Sequence, residues 1–441
     1  MTPASPSISR RTFLQGIAAT SATATLLAAC GTGPIKSGSG PVTLNFWGGV
    51  PAESGPTDLI EAFQKKYPTI KVKYTRFVND NTGNVKLDTA LEGGTPIDLF
   101  MSYEIGRMVK RIDSGAALDL GSFIDADNET KQWVTTQSQA IYQYKGKYWG
   151  LPIAQGPTYI FVNKNMVEAA GITLPEQWTI NEFREITKKL SQKGVYGTYD
   201  TPDLAYAALG PNDVYKGGGK ASNFDHPMFR ESFKLHRDMI VEKSAFPWTE
   251  VLAQNLRVYS QSIFLKGQVA MASSSDFWHR YITDTKSYPH DFVTTFMPLP
   301  KPDGIDNPYT PGGLNNWIQI NAQTRNKEAA WTFLRYSLGE GAKYMIRSGR
   351  NPAFPGTSAD DVVNNLLGSN KEKLYDVEAY KRVVLSNHMR LANPTITAAA
   401  AQITQIQQAQ TDRYFIGEVS LDQCIQTIKQ QSDDAIQKAG A

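Results

Sequence analysis

Val42-Thr43-Leu44-Asn45-Phe46-Trp47 alternates polar and apolar side chains and stops at Gly48-Gly49, the pattern of a half-buried strand. From Thr57 to Tyr67 the apolar positions Leu59, Ile60, Phe63 and Tyr67 recur at helical spacing, and Pro68 closes the helix. Ile70-Lys71-Val72-Lys73-Tyr74 alternates again. A helix around Val85–Leu91 follows, then Gly93-Gly94 and the buried run Ile97-Asp98-Leu99-Phe100-Met101. Strand, helix, strand, helix, strand predicts an α/β fold in which a mainly parallel sheet is flanked by helices.

A second region opens at Gly146-Lys147-Tyr148-Trp149-Gly150-Leu151-Pro152 and continues into a strand from Thr158 to Asn163. Thr179 and Glu182 have the spacing of a capping box, and Trp178 and Phe183 that of a hydrophobic staple, so Trp178 reads as structural. Phe264-Leu265-Lys266-Gly267-Gln268-Val269-Ala270-Met271 is a helix end, a glycine and a short buried strand. Ile318-Gln319-Ile320-Asn321 is another strand, followed by a helix over Asn326–Ser337. From Thr395 to Lys438 the chain has few helix breakers.

Ahead of this fold the residues speak of export. Ser9-Arg10-Arg11-Thr12-Phe13-Leu14 matches the twin-arginine pattern, and the uncharged stretch from Gly16 to Ala29 is short for a membrane span. Leu27-Ala28-Ala29-Cys30 resembles the lipobox of bacterial lipoproteins, which implies a signal peptide over 1–29 and a lipidated Cys30. Residues 30–41 then read as anchor and tether, rich in Gly, Ser, Lys and Pro. The chain has two cysteines. With Cys30 acylated no disulfide forms, and Cys424 is expected as an unreactive thiol buried on a C-terminal helix. About 400 mature residues predict two domains, since single cores stop growing near ~250–300 residues. A net charge of +3, part of it from the signal arginines, leaves no basic stripe for nucleic acid and no polybasic run for lipid headgroups.

Several segments, taken in order, resemble the extracellular solute-binding proteins of carbohydrate ABC importers, the maltose-binding-like family. They are Trp47 after the first strand, Ala62–Pro68 with Ile70-Lys71-Val72, Gly94–Asp98, Gly146–Pro152, Asn163-Lys164, Gly267–Met271, Pro311-Gly312-Gly313 and Glu328–Leu334. The resemblance runs from residue 42 to about 435 and implies the two-lobed periplasmic-binding-protein fold, with the ligand cleft between the lobes. It implies lobe crossings near Ala154–Pro157, near Asn315–Ile318 and within Asp376–Pro394. One lobe is then 42–154 plus 319–380 and the other 156–316 plus 390–441. It also implies a monomer without a cofactor or metal that carries a mono- or disaccharide to permease subunits, touching the membrane only through its lipid. Pro394 to Ala401 lacks the aromatic that maltodextrin binders place there, which argues against a long glucan.

A sugar needs planar donors and acceptors for its hydroxyls and flat aromatic rings for its C–H faces, both best placed in loops after strand ends. Trp47, Tyr103 and Glu104 follow strands of the first region, and Glu53 lies in the loop after Trp47. Ser274, Asp276 and Trp278 follow the Val269–Met271 strand, with Phe277 the competing neighbour of Trp278 for the cleft-facing side. Gln155 sits at the first crossing; Asn315, Asn316 and Trp317 sit at the second; Arg350 follows the helices after Trp331. Asp200 and Tyr206 flank a loop whose counterpart in the family often reaches the ligand.

Rival readings find less support. Glu53 and Glu104 could be cast as the two carboxylates of a glycosidase, but the chain has no Gly-x-Ser-x-Gly elbow and no His-Glu-x-x-His pair. Its five histidines are scattered, and Gly217-Gly218-Gly219-Lys220 lacks the Ser or Thr that a phosphate loop needs next. The same fold with a non-sugar cargo, such as a polyamine, a peptide or an iron complex, stays open.

Overall fold

The computed structural model describes residues 41–136, 143–192, 194–257, 259–354, 356–385, 389–392 and 399–440. The expected signal peptide, Cys30 and most of the tether lie outside the described residues, as does most of the Pro394–Ala401 segment.

The first lobe is built on a mixed sheet. Strands β1 (Val42–Gly48), β2 (Ile70–Arg76) and β3 (Leu99–Ser102) alternate with helices α1 (Pro56–Lys66) and α2 (Asn81–Glu92), and β1 pairs in parallel with β2 and β3. The opening stretch therefore folds as its periodicity predicts. α1 buries Leu59, Ile60 and Phe63, starts with Pro56 in its first turn and ends in Lys65 and Lys66, whose charges suit the helix C-terminus. Asp80 caps α2 by accepting from the Gly83 amide at 2.7 Å. Asp98 caps no helix; it fastens the sheet. Its carboxylate accepts from the Asn45 amide at 2.7 Å, from the Asn326 side chain at 3.1 Å and from the Thr324 hydroxyl.

The chain then leaves through β4 (Leu151–Pro157) into β5 (Tyr159–Asn163). Beyond the small hairpin of β6 (Tyr215–Lys216) and β7 (Ala221–Ser222), β5 is flanked by β8 (Met271–Ser274) and β9 (Thr294–Met297), both antiparallel to it. The chain returns through β10 (Tyr309–Ile320), which pairs antiparallel with β3 and β4 and in parallel with β11 (Arg390–Ala392). The α/β class holds, while the strand directions are more mixed than the element order predicts. A long connection such as that between β5 and β8 leaves strand direction open, so alternation of element types could not fix it.

Each sheet has its own core. Leu44, Phe46, Phe63, Leu151, Ile318 and Phe333 pack on one face of the first, and Leu87, Phe100, Met108 and Trp317 on the other. Tyr159, Phe161, Phe264, Trp278 and Phe296 fill one face of the second; Ile160, Val162, Trp178 and Phe183 fill the other. The predicted capping box of Thr179 and Glu182 is present, and Trp178 meets Phe183 edge to face at 5.4 Å. Val362, Leu366, Leu374 and Tyr380 pack into the core of the second sheet, as does Cys424 on the last helix. Burial pushes the Cys424 thiol up to about 12, consistent with an inert packing residue.

His236 lies in the second lobe, stacked on Phe415 at 4.6 Å and edge-on to Trp248, with its Nε2 buried and unpartnered. Burial lowers its pKa to about 4. In the unfolded chain histidine titrates near ~6.5, so the unfolded state binds the proton first as pH falls. The neutral ring's contribution is complete above about pH 6.5 and is lost as pH drops toward 4, in total on the order of 3 kcal/mol. His236→Phe is expected to shrink the difference in urea-unfolding free energy between pH 7.5 and 4.5 by about 2–3 kcal/mol. An unchanged difference would refute this account.

Candidate functional site

The carboxyl ends of β1, β2 and β3 open toward β8 and the segment that follows it. Between them lies a cavity of about 310 Å³. One wall is Gly49, Arg76, Asn79 and Tyr103, just past the three parallel strands. The opposite wall is Thr158, Tyr259 and the run Ser275, Asp276, Phe277, Arg280, Tyr281. Gln155, Gly156, Gly312, Asn315 and Asn316 of β4 and β10, with Gly349 and Arg350, complete the lining.

The first wall is fixed by hydrogen bonds around Gly49. Its amide donates to the Tyr103 hydroxyl at 2.5 Å, and a Cβ there would lie 3.0 Å from the Tyr103 ring. Tyr74 supports this corner by donating to the Val50 carbonyl at 2.7 Å. Burial raises the Tyr103 hydroxyl pKa, so it stays protonated and able to donate.

The opposite wall hangs on Asp276, which is 3 % exposed. Tyr159 donates to its Oδ1 at 2.6 Å and Tyr380 at 3.2 Å, while the Asn351 side chain donates to Oδ2 at 2.6 Å. His279 Nε2 lies 2.8 Å from the same Tyr159 hydroxyl, and burial pushes its pKa down, which keeps the ring neutral. Gly349 sits where only glycine fits. Its φ is +79°, and a Cβ would fall 2.3 Å from the Asp276 carbonyl oxygen and the Phe277 Cα. That close approach brings Arg350 into the cavity.

β10 shows a further local device. Asn316 has φ 57°, a left-handed conformation that asparagine tolerates, and the β4 ladder skips it. Strict alternation would send Asn315 and Asn316 to opposite faces; this break lets both line the cavity.

Of the side chains singled out from sequence, Tyr103, Gln155, Asp276, Asn315, Asn316 and Arg350 come together here. Others do not. Trp317 is 2 % exposed beneath the first sheet, and Trp278 is 1 % exposed between Phe161 and Phe264, so both belong to cores. Of the neighbouring pair it is Phe277 that faces the cavity. Trp47 is half-buried against the cluster that includes Trp317. Glu53 is exposed in the turn Ala52–Ser54, where its carbonyl accepts from Arg347. Glu104 is exposed at the start of helix α3 (Ile105–Asp113), 4.0 Å from Arg107. Asp200 accepts from the Ser273 amide at 3.0 Å and its hydroxyl at 2.6 Å; burial lifts its pKa to about 6. Tyr206 is buried and donates to the Ala392 carbonyl, and Ser274 lies in β8 opposite Tyr159.

Sequence reasoning missed Arg76, Asn79, Thr158, Tyr259, Ser275, Arg280 and Tyr281, and named Phe277 only as the alternative to Trp278. Arg76 ends β2 and was reachable by the strand-end rule that gave Tyr103. Arg280 and Tyr281 follow Phe277 by one helical turn, a signal visible only once Phe277 is known to face inward. Among the described residues no three His, Cys, Asp or Glu side chains gather as metal ligands. None of the described helices is long and apolar enough to cross a membrane.

Residues 50–344 match the family profile of the bacterial extracellular solute-binding proteins. A binding protein of Brucella abortus is 26% identical over 302 residues, spanning 65% of this chain and 69% of its own. Among solved structures, an ABC substrate-binding protein from Listeria monocytogenes in complex with cycloalternan superposes with a TM-score of 0.72 at 20% identity, covering 90% of this chain and 98% of that one. A solute-binding protein of Thermotoga lettingae bound with α-D-tagatose gives 0.69 at 19% identity, covering 90% and 100%. At these identities the likeness to solved structures establishes the two-lobed fold.

The neighbours Phe277 and Trp278 provide a direct check on the geometry. Trp278→Ala should destabilise by about 3–5 kcal/mol, as truncation of a buried aromatic does. Phe277→Ala should leave thermal unfolding close to wild type, within about 1 kcal/mol. Differential scanning calorimetry of the two variants separates them, and equal losses would contradict the assignment.

Proposed function

The chain belongs to the bacterial extracellular solute-binding protein family, and on that premise we propose that it captures a small carbohydrate in this cavity and delivers it to the permease of an ABC importer. The observation that carries the reading is the composition of the cavity wall. Tyr103, Tyr259, Phe277 and Tyr281 supply flat faces for sugar C–H groups, interleaved with Asn79, Gln155, Thr158, Ser275, Asn315 and Asn316 for hydroxyls. A volume of about 310 Å³ lies near the lower end of ligand pockets, ~300–1,000 Å³, and suits a mono- or disaccharide better than a long glucan. The sugar ligands of the Listeria and Thermotoga proteins are in keeping with this cargo class.

Because both sheets contribute to the lining, a bound solute bridges the lobes and favours the closed state, with hinges at Ala154–Pro157 and Asn315–Ile318. We take the lobes as 42–154 with the segment after 319, and 156–316 with the C-terminal helices. The third exchange is better placed before Val362 than at Asp376–Pro394, since Val362 to Tyr380 packs with the second sheet. The cargo leaves chemically unchanged.

A thermal-shift screen across sugars, polyols, amines and peptides tests the cargo class, with small-angle scattering on the best binder. A sugar should raise the melting temperature, by about 2.7 kcal/mol of stabilisation at a hundredfold excess over Kd, and reduce the radius of gyration. Stabilisation by amines or peptides alone would sink the sugar reading, and an unchanged radius at saturation would sink the closure.

We also propose that Cys30 carries the lipid anchor and that Arg10-Arg11 direct export, on the register of arginine pair, apolar stretch and lipobox. Cys30→Ala should move the protein from the membrane to the soluble fraction. Wild-type mature protein starting elsewhere than Cys30, and unacylated, would rule this out.

A further inference from the structure

The cavity that serves the proposed sugar capture also carries an excess of positive charge that a neutral sugar does not answer. Three arginines line it, Arg76, Arg280 and Arg350, against a single carboxylate, Asp276. That carboxylate is already engaged by Tyr159, Tyr380 and Asn351. Among the described residues, none of the three arginines forms an ion pair with an Asp or Glu. Arg350 is 6 % exposed, yet its guanidinium donates only to the Ser348 carbonyl and leaves Nε buried and unpartnered. Arg280 donates to the Tyr281 hydroxyl at 2.6 Å, and its Nε and Nη1 are buried without partners.

Elsewhere in the molecule the buried arginine is treated differently. Arg111, 2 % exposed, is matched by Asp88 at 2.7 Å and by Asn84 and Ser102 at 2.8 and 2.9 Å. A buried guanidinium without a counter-ion is costly, and closing lobes over it removes the water that makes it tolerable. Arg280 and Arg350 are nonetheless held against rings rather than by acids. The Arg350 guanidinium lies 5.9 Å from the Tyr103 centroid, and that of Arg280 lies 4.6 Å from Tyr281 and 5.8 Å from Phe277. Planar cations positioned on aromatic faces, with donors to spare, match an oxyanion, whose paired oxygens accept from the guanidinium fork and cancel its charge. A hydroxyl accepts a hydrogen bond and brings no charge.

We propose that the cargo is an anionic carbohydrate whose carboxylate or phosphate sits between Arg280 and Arg350, with Arg76 at the rim. This rests on the sugar-capture reading and sharpens it. Burial, followed by the nearby charge of Arg280, pushes the Arg350 pKa down to about 10, the direction expected of two cations gathered without an acid between them.

Calorimetric titration of the purified protein with matched pairs tests it: galacturonate against galactose, and glucose 6-phosphate against glucose, with inorganic phosphate alone as a third arm. One anionic sugar should bind at least about 100-fold tighter than its neutral parent, and its Kd should rise with salt. Arg350→Gln and, separately, Arg280→Gln should each cut that preference, the ratio of neutral to anionic Kd, at least about tenfold. Arg280 is only partly buried, so its variant keeps the test valid if Arg350→Gln does not fold. A phosphate cargo should bind more tightly as pH rises through about 6, where the second proton leaves, and a carboxylate cargo should show no such rise. Neutral sugars binding as tightly as their anionic partners would overturn the anionic assignment and leave sugar capture standing. Inorganic phosphate binding without any preference between the paired sugars would overturn it equally. Silence of every carbohydrate, charged and neutral, would overturn both readings.

Discussion

The antiparallel ribbon of β4 and β10 is the element on which the rest of the molecule depends. β10 pairs with β3 through Trp317–Ile320 and with β4 from Gly312 to Ile318, so one strand belongs to the first sheet and forms the passage to the second. The ribbon can cross only because two glycines meet. A Cβ on Gly312 would lie 2.4 Å from the Gly156 carbonyl oxygen, and one on Gly156 would lie 3.0 Å from an Asp276 carboxylate oxygen. Backbone therefore presses directly against backbone at the base of the cavity. From that base the ribbon presents Gln155, Asn315 and Asn316 to the cavity and delivers Tyr159 to the second sheet, where it meets Asp276.

Asp276 is the second fixed point, and it depends on the first. Its carboxylate is shared among β5 through Tyr159, the segment after Gly349 through Asn351, and the helical segment carrying Tyr380. Three parts of the chain distant in sequence thus meet on one buried acid, and Phe277, Arg280 and Tyr281 are placed as a consequence. The arrangement is costly to bury and effective as an organiser, because an unpaired carboxylate at that depth would be strongly destabilising. Ring nitrogens and hydroxyls that stay uncharged surround it, with His279 pushed down and Tyr159 and Tyr380 pushed up, first of all by burial.

The legibility of the sequence follows from how local each signal is. The β1–α1–β2–α2–β3 run is readable because each element carries its own period and stop signals, and the capping box at Thr179 is complete within four residues. The strand-end rule works for Tyr103 and would have worked for Arg76. It fails for Trp47, Trp278 and Trp317, since size and position say nothing about which face of the backbone a ring takes. For Trp317 that choice turns on the left-handed Asn316 beside it, and for Trp278 on a short helical turn at Asp276–Trp278, neither of which has a period to read. Tyr259 and Thr158 reach the cavity through tertiary placement alone. The strand directions of the second sheet are hidden for a similar reason, as they are set across long connections.

The same geometry bears on what the cavity can do to a bound molecule. Hydrolysis of a glycosidic bond calls for two carboxyl groups facing each other across the sugar, about 5–10 Å apart, one of them free to give up a proton. Asp276 is the lone carboxylate in the described lining, and its oxygens are already taken by three donors. The acids considered from sequence for such a pair, Glu53 and Glu104, lie exposed and outside it. What remains is a surface of rings, amides, hydroxyls and guanidinium groups contributed by two lobes. Such groups gain most when a ligand touches both walls at once, so in the proposed capture the binding energy would go into bringing the walls together rather than into distorting a bond. On the proposed reading, a cavity so lined would hold its solute intact and signal its presence through closure of the two walls.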